Sequence, residues 1–315
     1  MRLHTARHVA PFHPTLKKNS MTKSILVTGS SSGFGEMTAY ALADAGHQVF
    51  ASMRDIQGHN QDKAEKTRAF AHEKGRDIRP LELDVLDDDS VERAIQSLVE
   101  AAGKIDVIVH NAGHMTLGPA EAFTPAQYAE QYDVNVLGTQ RVNRAALPHM
   151  RKARSGLLVW VSSTSVLGGT PPWLAPYFAA KAAMESLAMS YAGELIRWGI
   201  ETSIVAPGVF THGTNHLANA GKPADQVVMR DYAEGPTRTL EAEVAQGHEA
   251  VQPAVSDPLE VARAIVEVVG LPAGKRPLHV TVDPADMGYE LVAAMRDRIR
   301  ADVYRRMGLD SLLNR

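Results

Sequence analysis

Tyr177 and Lys181 lie four residues apart in an alanine-rich stretch, the spacing at which two side chains leave one face of a helix. A tyrosine alone, with a pKa of about 10, is a poor acid or base at neutral pH, but an ammonium beside it favours the phenolate and draws that value down. Such a pair can exchange a proton with a substrate oxygen. Ser162, Ser163 and Ser165 stand upstream, just past the apolar run Leu157 to Val161. A hydroxyl there can hold a carbonyl oxygen in place for the tyrosine.

A second group of residues points to phosphate. Thr28-Gly29-Ser30-Ser31-Ser32-Gly33-Phe34-Gly35 follows the run Ser24 to Thr28 and opens a helical stretch. Its glycines let the backbone turn tightly and approach a pyrophosphate, whose charge the helix N-terminus attracts. The spacing is Gly-x3-Gly-x-Gly, not the commoner dinucleotide pattern Gly-x-Gly-x2-Gly.

Other chemistries are excluded or disfavoured. With no cysteine there is no thiolate nucleophile, disulfide or Cys-based metal site. His212 and His216 have the i, i+4 spacing of a metal pair, but no glutamate stands between them as in the zinc-protease motif, and no metal is expected.

These residues need a scaffold, and the chain alternates short β-branched runs with longer helical stretches. Strands are predicted at Ser24 to Thr28, Gln48 to Ser52, Arg79 to Leu83, Ile105 to Val109, Leu157 to Val161, Glu201 to Ala206 and Leu278 to Val282. Helices are predicted between them. Asp88, Asp89 and Ser90 are candidate caps for one of these, and Thr124-Pro125-Ala126-Gln127 is a capping box opening a long helix toward Met150. The alternation predicts an α/β, Rossmann-like, doubly wound parallel sheet of about seven strands with helices on both faces, in a single domain. Ligands of such sheets bind beyond the carboxyl ends of the strands, where strand order reverses, and the candidate residues all fall in loops there or on the helices that follow. Residues 211–256 break the rhythm and are expected to form a substrate loop within a catalytic domain of residues 21–283, followed by a helical segment at 284–315.

Composition narrows the partners. The 33 basic and 36 acidic residues leave a net charge of −3, which gives no global attraction to nucleic acid. Arg2, Arg7, Lys17 and Lys18 occupy residues 1–20 without an acid, so the remaining chain carries −7. That segment has no apolar core of a secretory signal and is expected to be a disordered extension. No apolar run approaches the ~18 residues of a membrane span. A cytoplasmic location and a small-molecule substrate are expected.

In order along the chain stand TGSSSGFG, Asn111-Ala112-Gly113, Asn135 in a predicted helix, the serine cluster, Tyr177-x3-Lys181 and Pro207-Gly208. From about Lys23 to Val282 this order resembles the short-chain dehydrogenase/reductase family, and the stretches Met53-Arg54-Asp55 and Pro172 to Tyr177 resemble its hydroxysteroid and retinol dehydrogenase branch. The resemblance implies an oxidoreductase that interconverts an alcohol and a ketone or aldehyde by hydride transfer. Tyr177 would be the acid/base, Lys181 would bind the nicotinamide ribose and depress the tyrosine pKa, and Asn135 would anchor a water of the proton relay. The serine of the family usually stands 13 residues before the tyrosine, where this chain has Thr164; Ser163 is preferred over Ser165.

For the cofactor, the resemblance implies that Gly29, Ser31, Ser32, Gly33, Phe34 and Gly35 hold the diphosphate and that Asp84 and Val85 meet the adenine. Asn111, Ala112 and Gly113 would shape the nicotinamide end, and Pro207, Gly208 and Thr211 would meet its carboxamide. Met53 stands where NAD-dependent relatives carry an acid, and Arg54 follows, so NADP (NADPH) is favoured over NAD. Asp55 leaves two alternatives open, pairing with Arg54 or facing the ribose. Trp173, Phe210 and Met115 could line an apolar pocket for a hydrophobic substrate or be ordinary packing residues. The family resemblance also implies a homodimer or homotetramer through the helices of Asn135 and Tyr177. Rival readings are a 3-oxoacyl-thioester reductase and a noncatalytic NADP-binding sensor or scaffold; the presence of Asn135, Ser163, Tyr177 and Lys181 argues against the latter.

Overall fold

The structure is a computed structural model that describes residues 21–253 and 256–313. The expected disordered extension at residues 1–20 lies outside the described residues. Seven strands form one wholly parallel sheet: β1 (Ser24–Val27), β2 (Gln48–Met53), β3 (Ile78–Glu82), β4 (Val107–His110), β5 (Gly156–Val161), β6 (Ile200–Pro207) and β7 (His279–Val282). Their order is β3-β2-β1-β4-β5-β6-β7. The chain winds outward from β1 in one direction and from β4 in the other, so the strand order reverses between β1 and β4.

The near-continuous apolar strands reflect burial on both faces. Alternate side chains of β1 separate into two cores, Leu26 on one face and Ile25 with Val27 on the other. Leu26, Phe50, Ile108, Leu158 and Ile204 pack against α3 (Asp88–Ala102), α5 (Gly138–Ala153) and α6 (Ala175–Leu195). Val27, Val49, Val109, Val159 and Val205 pack against α1 (Gly33–Asp44) and α9 (Leu259–Gly270), with Phe70 of α2 (Gln61–Lys74) at the margin. This is a Rossmann-like doubly wound domain.

The helix starts follow local chemistry. The cap of α3 is Asp87, one residue before the three predicted candidates; its carboxylate accepts the Ser90 N–H at 3.1 Å, while Asp88 and Asp89 occupy the first turn. The Thr124 capping box is formed and opens α4 (Pro125–Tyr132). The single long helix predicted from there is interrupted: Asp133–Leu137 form a π-helical turn before α5 begins.

After β6 the chain leaves the sheet for α7 (Gln226–Glu234) and α8 (Leu240–Val251), neither of which has a buried residue. It returns through α9 and β7 to α10 (Tyr289–Arg306), which Tyr289 and Ala293 anchor against the body.

Candidate active site

The glycine turn sits at the reversal of strand order. Gly29 has a φ of +68°, and a Cβ there would stand 2.8 Å from the Ala112 Cα; a Cβ on Gly35 would collide with the Gly29 carbonyl and the Asn111 amide. The turn is stitched to the end of β4. Asn111 Nδ2 donates to the carbonyls of Thr28 at 2.9 Å and Gly29 at 3.0 Å, and the backbone N–H groups of Asn111 and Ala112 donate to Thr28 Oγ1 at 3.0 Å each. Ser32 caps α1 without a side-chain hydrogen bond. The first-turn N–H groups at Gly33, Phe34 and Gly35 therefore have no side-chain cap, which is the arrangement a phosphate takes. Ser31 and Ser32 lie on the same turn. These residues fit a dinucleotide.

At the end of β2, Asp55 takes a left-handed φ of 50° and its carboxylate accepts the His59 N–H at 2.7 Å. Glu82 at the end of β3 accepts the N–H groups of Asp55 at 2.6 Å and Ile56 at 2.8 Å. Asp55 is thus folded into its own turn, and among the described residues no carboxylate forms an ion pair with the exposed Arg54. Asp84 accepts the Leu86 N–H at 3.0 Å and donates its own N–H to Ser90 Oγ at 3.0 Å. Val85 packs against Gly138, where a Cβ would approach it to 2.9 Å.

The π turn places Asn135 inside the protein, fully buried. Its Nδ2 donates to the Gln131 carbonyl at 3.0 Å and Oε1 at 3.2 Å, while Oδ1 has no partner among the described residues. That oxygen crowds Gly113: a Cβ there would stand 2.5 Å from it and 3.7 Å from Lys181 Nζ.

Ser163 lies two residues past β5 and caps the short 3-10 turn Thr164–Val166. Its Oγ accepts from the Ser165 N–H at 3.3 Å and from the Ser165 hydroxyl at 2.8 Å. Tyr177 and Lys181 occupy consecutive turns of α6, with Nζ 6.0 Å from the centre of the phenol ring. Lys181 is buried and donates to the Val161 carbonyl at 2.8 Å. Burial pushes the Tyr177 hydroxyl up to about 12, with the neighbouring Ser163 hydroxyl pulling the other way. Burial also brings the Lys181 ammonium down to about 8. In the protein alone burial thus raises the tyrosine, and Lys181, held by the Val161 carbonyl and standing off from the ring, does not offset it.

Beyond β6, Gly208 donates its N–H to the Val282 carbonyl at 2.8 Å. Thr211 donates its N–H to Gln252 Oε1 at 2.6 Å, and its hydroxyl donates to the same oxygen. This amide lies 41 residues away in sequence, beyond any local pattern.

Phe34, Asn111, Gly113, Ser163, Tyr177, Lys181, Pro207 and Gly208 line one cleft. Its other wall is largely apolar, with Met115, Leu174, Phe178, Phe210, Leu217 and Met287. Arg54, Asp84 and Val85 are carried at the carboxyl ends of β2 and β3, outside that cleft. Trp173 does not line it: a φ of 84° turns its ring against Tyr232, 6.0 Å between centres. Sequence reading missed His114, His248 and Met287 as lining residues, since nothing in their local spacing marks them. His212 and His216 do not form a metal pair: His212 is exposed beside Glu249, at 3.5 Å, while His216 turns inward against Phe34.

The model of the short chain dehydrogenase family matches residues 23–224. The chain belongs to the short-chain dehydrogenase/reductase family. It is an enzyme of the class that acts on CH–OH groups with a nicotinamide dinucleotide, and it is related to the hydroxysteroid and retinol dehydrogenases. It is 32% identical over 216 residues to the 3-ketodihydrosphingosine reductase of Bacteroides thetaiotaomicron, covering 69% of this chain and 74% of the relative. Rat estradiol 17-beta-dehydrogenase 1 is 34% identical over 251 residues, 79% of this chain and 70% of its own. Bovine retinol dehydrogenase 8 is 31% identical over 255 residues, 79% and 78%. Among solved structures, a gluconate 5-dehydrogenase from Burkholderia cenocepacia in complex with NADP and tartrate superposes with a TM-score of 0.65 at 25% identity, covering 83% of this short-chain dehydrogenase/reductase and 94% of that chain. No helix among the described residues is long and apolar enough to cross a membrane.

Proposed function

We propose that this short-chain dehydrogenase/reductase interconverts a bulky, largely apolar alcohol and its ketone or aldehyde with NADP(H), Tyr177 transferring the proton and, in the reductive direction, donating it. The observation that carries this reading is the cleft itself, which joins Ser163, Tyr177 and Lys181 at one end to a wall of Met115, Leu174, Phe178, Phe210 and Met287. The relatives named for 3-ketodihydrosphingosine, estradiol and retinol agree with it.

Bound NADPH supplies the hydride that goes to the carbonyl carbon. The chain supplies the rest. Ser163 accepts two hydrogen bonds from Ser165, which leaves its own proton to point at the substrate oxygen. Tyr177, held as a neutral phenol by its raised pKa, donates to the same oxygen as negative charge develops there. Lys181 uses one N–H on Val161 and keeps two for the ribose hydroxyls. Asn135 supports Gly113 from beneath and anchors the relay. Gly29 to Gly35 hold the diphosphate, Asp84 and Val85 the adenine, Asn111 to Gly113 and Pro207 to Thr211 the nicotinamide end.

The choice of NADP over NAD rests on Arg54, unpaired among the described residues, and on Asp55 being turned into its own loop. We further propose that the protein assembles through α4, the π turn and α6, where Tyr132 and Leu137 are 44% and 40% exposed beside Ala183 and Leu187. NADPH oxidation across a panel running from acetone-sized ketones to steroid ketones, a 3-keto sphingoid base and retinal tests the reading. Turnover rising with apolar bulk supports it, and turnover confined to small polar carbonyls contradicts it.

A further inference from the structure

The substrate loop between β6 and α9, here called the lid, carries a buried polar atom with no role in the chemistry above. His216 lies in the turn of residues 216–219, leaves the helical register that would have paired it with His212, and packs its ring against Phe34, 5.4 Å between centres. Phe34 in turn meets Phe210 edge-on at 5.6 Å. Nε2 of His216 is buried and has no hydrogen-bond partner among the described residues. It faces the glycine turn: it is 3.7 Å from the point where a Cβ on Gly33 would stand.

A buried imidazole nitrogen without a partner is costly. The ring is rotated so that this nitrogen, not a carbon edge, faces the start of α1. The ligand that a helix start with no side-chain cap attracts is an anion. Resting on the reading that NADP(H) binds there, we propose that His216 is a cofactor ligand delivered by the lid, its Nε2–H donating to the diphosphate above Gly33.

The cofactor would then give the lid a second anchor. Neither α7 nor α8 has a buried residue, and the segment meets the body at Gly221, whose N–H donates to the Met115 carbonyl and whose carbonyl accepts the Leu117 N–H, both at 2.9 Å; a bond from His216 to bound diphosphate would order the stretch before that point.

His216→Phe keeps a ring against Phe34 and removes the donor. Binding of NADPH and of adenosine 2′-monophosphate, which has the same 2′-phosphate but no phosphate at the 5′ position, is measured by calorimetry for both proteins. The expected result is NADPH binding weakened about ten-fold or more in the variant, as for a lost hydrogen bond to a charged group, with the monophosphate unchanged. Hydrogen exchange supplies a second readout: NADPH should slow exchange over residues 212–220 in the wild type and much less in the variant. Unchanged NADPH affinity, or equal weakening of both ligands, would overturn the role of His216 while leaving the cofactor reading standing. A wild-type protein that binds neither ligand would overturn both.

Discussion

The Ser165 hydroxyl donates to Ser163 Oγ at 2.8 Å, and the Ser165 backbone N–H donates to the same oxygen at 3.3 Å. The two serines in competition by spacing are therefore donor and acceptor in one arrangement, with Ser163 the member that neighbours the Tyr177 hydroxyl and does not spend its proton on Ser165. Ser163→Ala should lower kcat/KM by roughly 10²-fold or more, the scale of a lost oxyanion donor. Ser165→Ala should cost less, about ten-fold, as a loss of orientation alone. Steady-state kinetics on both variants checks the order; a larger loss for Ser165→Ala would reverse the assignment.

Arg54→Ala should weaken NADPH binding by roughly ten-fold or more, since it removes a guanidinium from the 2′-phosphate. NADH binding should be unaffected. The reason is local: Asp55 is engaged by His59 and does not neutralise the arginine. Equal affinities for NADPH before and after the substitution would remove that reason.

Lys181 links function to stability. Its pKa falls from 10.5 in the unfolded chain to about 8 when folded, so between those values the unfolded state binds more protons and stability rises with pH. Below pH about 8 the folded protein bears the full cost of a buried ammonium, on the order of a few kcal/mol. Lys181→Met does not titrate. The wild type should gain stability relative to this variant as pH rises from about 8 toward 10.5, measured by denaturant unfolding. A difference independent of pH would show that the ammonium is not desolvated.

Glu185 ties the C-terminal helix to the serine-bearing segment just past β5. Fully buried on α6, its carboxylate accepts from Ser162 Oγ at 2.5 Å, Tyr289 Oη at 2.9 Å and Arg296 at 2.9 Å. Glu185→Ala leaves three donors unpaired and should destabilise the protein by roughly 3–5 kcal/mol. Thermal unfolding reads this directly, and a melting temperature within a degree of wild type would contradict it.

Much of the scaffold was legible because it rests on local signals. The β-branched runs set β1 to β7 within a residue or two, and the Thr124 box announced α4. Where the sequence misled, tertiary contacts decided. The π turn buries Asn135 and Val136, and no residue in Asp133–Leu137 announces it. The φ of Trp173, unusual for a bulky side chain, removes it from the cleft that its position suggested. Thr211 meets Gln252 and Gly169 meets Met287 across long sequence separations, which no local pattern encodes. The raised tyrosine pKa is likewise a property of the folded surroundings: Tyr177-x3-Lys181 shows that the groups are near, but not that burial outweighs their attraction.

Proton transfer by Tyr177 in NADPH-dependent reduction is tested most directly by measuring, on one preparation of Tyr177→Phe, both NADPH affinity and turnover with the best ketone of the panel. Affinity equal to wild type with turnover lower by about 10²- to 10⁴-fold, the range of a lost general acid, is the predicted result. Turnover equal to wild type would contradict it.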